Sequence, residues 1–154
     1  MPEKHSERDL RRAIVGNLKK FILEFGKDFA FVGEEYRVQV GNRDFYIDLL
    51  FSNRELCCLV AIELKIGEFE PEHLGKMEFY LEALDRDIKK DSENPSVGLI
   101  LCTKKDATVV EYAMSRSLSP ALIAEYKLNL PDKKVLESKL RELAALAESD
   151  EDEE

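Results

Sequence analysis

Apolar residues Leu10, Ala13, Ile14, Leu18, Phe21, Ile22 and Phe25 recur at three- and four-residue intervals, and Gly26 follows them. That spacing predicts an amphipathic helix over about residues 7–25 with a glycine stop. The pattern then shortens to extended runs. A strand is predicted over about residues 35–40, a turn at Gly41-Asn42 and a second strand over about 44–51. SNREL is a polar connection, and CCLVAIELK is a third strand. Short connections between successive strands predict an antiparallel meander.

Pro71 opens the next helix, where its missing N–H costs nothing, and Leu74, Met77, Leu81 and Leu84 make its buried stripe. SVGLILC, from Ser96 to Cys102, is nearly all apolar and predicts a central strand covered on both faces. DATVVEYAMSRS predicts a short helix with Asp106 as N-cap, and ALIAEYKL an edge strand. PDKKVLESKLRELAALAES predicts a last helix with Leu136, Leu140 and Leu143 on one side. The resulting order, α-β-β-β-α-β-α-β-α, predicts one α/β domain of α+β character with a mixed sheet.

Three charges interrupt the apolar runs of FYIDLLFSNRELCCLVAIELKIG: Asp48, Glu63 and Lys65. Strand alternation puts Leu59, Ala61, Glu63 and Lys65 on one face, with Glu63 and Lys65 ~7 Å apart. Asp48 joins that face only if the numbers of paired residues add to an odd total. A symmetric turn centred on Arg54 gives an even total and separates the acids. An even-length connection or a bulge brings them together. Two carboxylates held close need a cation, and hard oxygen donors with positions left for water suit Mg2+ or Mn2+. A lysine beside them can stabilise charge on an attacking water or a phosphoryl oxygen. The alternative is a Glu63–Lys65 salt bridge on a solvated face near the strand ends, since E-x-K also arises by chance.

Composition narrows the setting. The chain has 154 residues, the size of one domain, and its 44% apolar content permits a real core. No run of about 18 apolar residues is present, so no membrane partner is expected. The charged opening MPEKHSERDLRR predicts no secretory signal. The net charge is −9, but six acids lie in the closing ESDEDEE, and without them it is −3. The expected division is a domain over residues 1–147 and a disordered acidic tail over 148–154. So mild a charge on the body neither favours nor excludes nucleic acid. Cys57, Cys58 and Cys102 make an odd count without metal-ligand spacing, and read as reduced, buried residues of a cytoplasmic protein. His5 and His73 have no partner at ligand spacing and read as surface residues. No nucleotide-binding phosphate loop and no serine nucleophile elbow occurs.

An acid on one strand and E-x-K on the next, flanked by helices, resembles the PD-(D/E)XK nuclease superfamily. More closely, FAFVGEEYRVQVGNRDFYIDLLF, LVAIELKIGEFEPEHLGKMEFYLEALD and ENPSVGLILC resemble the bacterial YhcG-like family, in its C-terminal nuclease domain, over about residues 9–140. The resemblance implies a restriction-endonuclease-like αβββαβ core with an extra C-terminal strand and helix. It implies an endodeoxyribonuclease that uses Mg2+ (or Mn2+) to hydrolyse phosphodiester bonds in DNA. Asp48, Glu63 and the Leu64 carbonyl would hold the metal, and Lys65 would be the catalytic lysine. Lys76 and Tyr80, four apart on one helix face, resemble a Q-x-x-x-Y element that contacts substrate phosphates or the acids. Tyr80 reads equally well as a core aromatic with its hydroxyl at the rim.

Three positions depart from the family's pattern. Arg11 stands where the first helix usually offers an acid, with Glu7 and Asp9 as nearby substitutes. Glu34 and Glu35 replace basic or amide residues, and Glu35 either approaches the metal or is solvated. The family's larger N-terminal region has no counterpart, which implies a catalytic domain that works with a separate recognition domain or subunit. Cutting two strands suits a homodimer. Arg11 and the acidic balance favour a second reading, a nuclease-like module that binds nucleic acid or a protein partner without cutting.

Overall fold

The computed structural model describes residues 2–104, 107–114 and 118–152. Helix α1 (Pro2–Phe25) leads into strands β1 (Phe29–Val40), β2 (Arg43–Asn53) and β3 (Cys58–Ile66). Helix α2 (Pro71–Ala83) runs on into a π-helical turn (Leu84–Ile88), then come β4 (Asn94–Lys104), β5 (Ala107–Met114), α3 (Pro120–Asn129) and α4 (Lys133–Asp152). The five strands form one mixed sheet in the order β1-β2-β3-β4-β5. Only β3 and β4 pair in parallel, and α2 supplies the crossover between them. The predicted αβββαβ core is therefore present from α1 to β4.

One face of the sheet carries α1 and α4. Ile14, Leu18 and Ile22 of α1 meet Phe51, Val60 and Ile62, with Leu136 and Leu140 of α4 beside them. Each such aliphatic side chain contributes roughly 1.5–3 kcal/mol by leaving water. The other face carries α2, whose Met77 and Leu81 pack on Leu50, Ala61 and Ile100. α2 lies close because Gly98 has no side chain: a Cβ there would collide with Met77. β4 is buried from Ser96 to Thr103, as its apolar run predicts for a strand covered on both faces.

The chain after β4 departs from the pattern reading. Residues 107–114 form a strand, not a helix, because Thr108, Val109, Val110 and Tyr112 suit the pleated edge that β4 offers and pair with it antiparallel. Asp106, expected as the N-cap of that helix, lies outside the described residues. ALIAEYKL is helical, not an edge strand. Ser119 caps α3 by accepting the Leu122 N–H at 3.2 Å, and Pro120 occupies the first helical position. Tyr126 then turns inward, fully buried, with its hydroxyl donating to the Pro95 carbonyl at 2.6 Å. The extra C-terminal strand thus precedes two helices.

α4 continues to Asp152, so residues 148–152, expected as a disordered acidic tail, extend the helix backbone. Ala144, Ala145 and Ala147 carry the helix onward, and no Gly or Pro stops it. Cys57 is exposed, because it sits in the β2–β3 turn with φ 53°, while Cys58 and Cys102 are buried, and all three are free thiols. His73 is half-buried, and its Nδ1 accepts the Glu70 N–H at 3.1 Å at the start of α2.

Candidate active site

The site arises from the register of β2 on β3. Every pair from Leu49↔Ile62 to Asn53↔Cys58 adds to the same odd total, 111. The four-residue connection Arg54–Cys57 produces it, and is held by the Leu56 N–H donating to Asn53 Oδ1 at 2.8 Å. One step beyond Leu49↔Ile62, Asp48 therefore faces Glu63. There side chains replace the main-chain ladder. The Asp48 N–H donates to Glu63 Oε1 at 2.9 Å, and the Leu64 N–H donates to Asp48 Oδ2 at 2.8 Å. The sheet forks at this point: β2 continues along β1, with Ile47 on Tyr36, and β3 continues along β4, with Lys65 on Cys102.

The backbone of β2 is irregular at the fork. Leu49 and Phe51 face the α1 side, yet Ile47 and Leu50 both face α2, so alternation slips at Asp48. On β1 the matching position is Glu35, between Glu34↔Leu49 and Tyr36↔Ile47, and it adopts a left-handed φ of 48°. Such a conformation costs a non-glycine residue about 1–3 kcal/mol and collects at functional sites.

Glu63 is only 6% exposed. Burial pushes its pKa up to about 7; the Asp48 charge adds to the rise, and its bond from the Asp48 N–H, Lys65 and Arg11 offset it only in part. Lys65 Nζ stands 3.8 Å from Glu63 Oε2, with 27% of its side chain exposed. The fork thus joins Asp48, Glu63 and Lys65 in one place, together with the main chain of Leu64.

Arg11 enters the same site from α1. Its Nη2 donates to both Asp48 oxygens, at 2.6 and 2.7 Å. Burial opposes the guanidinium charge, but the Asp48 hydrogen bond and the charges of Asp48, Glu63 and Glu35 outweigh it and raise its pKa. The sequence marked this position only as a missing acid. The contact spans 37 residues, and no local pattern announces it. Asp9 is exposed, and the Glu7 side chain lies outside the described set. Glu35 is exposed, on a cavity of about 180 Å3 whose wall also includes Arg8, Arg11, Arg12, Glu34 and Asp48.

On the α2 side, Tyr80 takes the position of a core aromatic. It is buried and packs against Phe45 and Phe79, with ring centroids 6.0 and 6.4 Å away. Burial and then the Glu63 charge raise the pKa of its hydroxyl, so the ring belongs to the core while the acid pair acts on its polar end. Lys76 is exposed, its Nζ 5.8 Å from the Tyr80 ring.

Among the described residues no three His, Cys, Asp or Glu side chains converge into a metal cage. The donor set nonetheless fits a hard divalent ion, which is commonly held by one or two carboxylates with water completing the shell. Two adjacent acids joined by the Asp48 N–H to Glu63 Oε1 bond, one of them buried and raised in pKa chiefly by that burial, are the observation that supports this fit. Two larger cavities border the α3–α4 connection, one of about 470 Å3 against the end of α1 and one of about 560 Å3 against β5, and neither contains the acid pair.

An αβββαβ core with two acids and a lysine at a sheet fork is the arrangement of the PD-(D/E)XK class of nucleases. The chain belongs to the family described as the YhcG PDDEXK nuclease domain, whose model matches residues 1–141. It is 38% identical over 148 residues to YhcG of Escherichia coli (strain K12), a protein itself named a nuclease only provisionally. That match takes in 96% of this chain and 40% of the relative, so the chain spans less than half of the relative's length. Among solved structures, a repair endonuclease from Pyrococcus abyssi superposes with a TM-score of 0.43 at 16% identity, covering 79% of this chain and 42% of that one.

Proposed function

We propose that the chain is the catalytic domain of a Mg2+- or Mn2+-dependent endonuclease that hydrolyses phosphodiester bonds in DNA. The observation that carries this reading is the meeting of Asp48, Glu63 and Lys65 at the β2–β3 fork. Asp48 and Glu63, with the Leu64 carbonyl, would hold the ion. When bound, a divalent ion supplies Lewis-acid polarisation of a phosphoryl oxygen and a more acidic water. Glu63 would hold it as the ionised carboxylate. Lys65, partly exposed beside Glu63, orients the attacking water and counters charge that builds on the phosphoryl oxygens. Lys76 faces solvent and meets the substrate backbone, and Tyr80 braces the acid pair from the core side.

Cutting both strands calls for two sites, hence a homodimer or two visits, and specificity falls to a separate recognition domain or subunit. The free thiols suit a reducing cytoplasm. No helix among the described residues is long and apolar enough to cross a membrane.

Arg11 favours a second reading. Its guanidinium already neutralises Asp48, which a nuclease-like module that binds nucleic acid or protein without cutting would tolerate. Nicking of supercoiled plasmid and of branched DNA with Mg2+ or Mn2+, with and without chelator, separates the two. The endonuclease reading expects metal-dependent cuts that Lys65→Ala slows by about 10²-fold or more with the fold unchanged. Absence of cutting by the wild-type chain with either ion, or full cutting by Lys65→Ala, contradicts it.

A further inference from the structure

We propose that Arg11 is a resident cation which an incoming divalent ion displaces from Asp48, and that the released guanidinium joins Arg8 and Arg12 in seating a nucleic-acid phosphate. The inference rests on the reading of Asp48 and Glu63 as metal ligands, and goes beyond it by giving the first helix a substrate-binding and gating role.

Four observations carry it. Both Asp48 oxygens are occupied by one nitrogen, Arg11 Nη2, at 2.6 and 2.7 Å. A metal at ~2.1 Å from either oxygen requires that nitrogen to move. The contact is also not the two-nitrogen fork that makes arginine–carboxylate pairs strongest, so exchange forfeits less. Second, the Arg11 side chain is 36% exposed and borders the 180 Å3 cavity, so it can swing without disturbing Ile14, Leu18 or Ile22 beneath α1.

Third, Arg8, Arg11 and Arg12 lie at i, i+3 and i+4 on one helix face, and all three line that cavity. Planar guanidinium groups match the paired oxygens of a phosphodiester. Fourth, the charges are poised. Three arginines face Glu34, Glu35 and Asp48, so the cavity is balanced. A divalent ion on Asp48 leaves it with surplus positive charge, and a phosphate of the nucleic-acid backbone is the anion at hand. Metal and DNA then favour each other's binding, and this coupling is reciprocal.

Calorimetric titration with Mn2+ alone, and anisotropy of a labelled duplex with and without Ca2+ in place of a cutting metal, test this on the full chain. Arg11→Gln is expected to bind Mn2+ about fivefold or more tighter than wild type, because no internal cation competes. The same variant loses the metal-induced gain in duplex affinity, and its log–log salt slope falls by about 1. R8A/R12A weakens duplex binding and keeps Mn2+ affinity within about twofold. Arg11→Lys, a conservative check on folding, lies between wild type and Arg11→Gln. If wild type binds Mn2+ and Arg11→Gln binds it equally or more weakly, the exchange is wrong while the metal-ligand reading stands. If neither takes up Mn2+, both are overturned.

Discussion

Glu63 concentrates the chemistry of the fork in one side chain. It is buried, it accepts the Asp48 N–H, and its pKa is raised to about 7 by burial and the neighbouring acid. A raised carboxyl pKa means that the folded chain holds a proton which the unfolded chain has released. Without metal, stability therefore declines as pH rises from about 4.5 to about 7. Metal binding must expel that proton, so Mn2+ affinity is expected to rise about tenfold per pH unit up to about pH 7 and then level off. Calorimetry across that range checks it; an affinity flat below pH 7 would show that Glu63 enters the complex already ionised. At this scale the sequence exposed the three charges as breaks in apolar runs. It posed the parity condition for Asp48 but did not solve it: SNREL is centred on Arg54 and suggests an even total, whereas β2 keeps Ser52 and Asn53 and the chain turns through Arg54–Cys57. The Arg11 contact was out of reach because it depends on how α1 lies across the strands.

The elements through β4 were legible because local signals and tertiary demand agree there. Heptad-like spacing with Gly26 marked α1, Pro71 marked α2, and an unbroken apolar run marked β4. After β4 the two diverge. Val109, Val110, Ala113 and Met114 mimic a helical stripe, and what decides for a strand is the open edge of β4, a non-local fact. ALIAEYKL is different: Ala, Leu, Glu and Lys are strong helix formers and Ser119-Pro120 ahead of it is a helix start, so its local signals already favour the helix that forms. The contact between α2 and β4 is itself testable. Gly98→Ala drives a methyl into Met77 and is expected to cost about 1–3 kcal/mol in urea unfolding. In a Met77→Ala background the same change should cost less than in wild type, because the methyl then enters space that Met77 has left. A neutral Gly98→Ala would mean that α2 lies less tightly on the sheet than described.

As a whole, the molecule is a three-layer α/β domain of the YhcG PDDEXK nuclease family whose sheet splits to hold its charges. Three elements meet at the fork: α1 brings Arg11, the β2–β3 connection sets the register, and α2 buries Tyr80 within reach of the Glu63 charge. The proposed endonuclease chemistry requires that Asp48 and Glu63 share one divalent ion. Titration of Mn2+ into the purified chain and its Glu63→Gln variant tests it most directly. One equivalent is expected to be taken up per wild-type chain, with a loss of affinity of about 10²-fold or more in the variant. Equal uptake by both chains, or none by wild type at millimolar Mn2+, would contradict it.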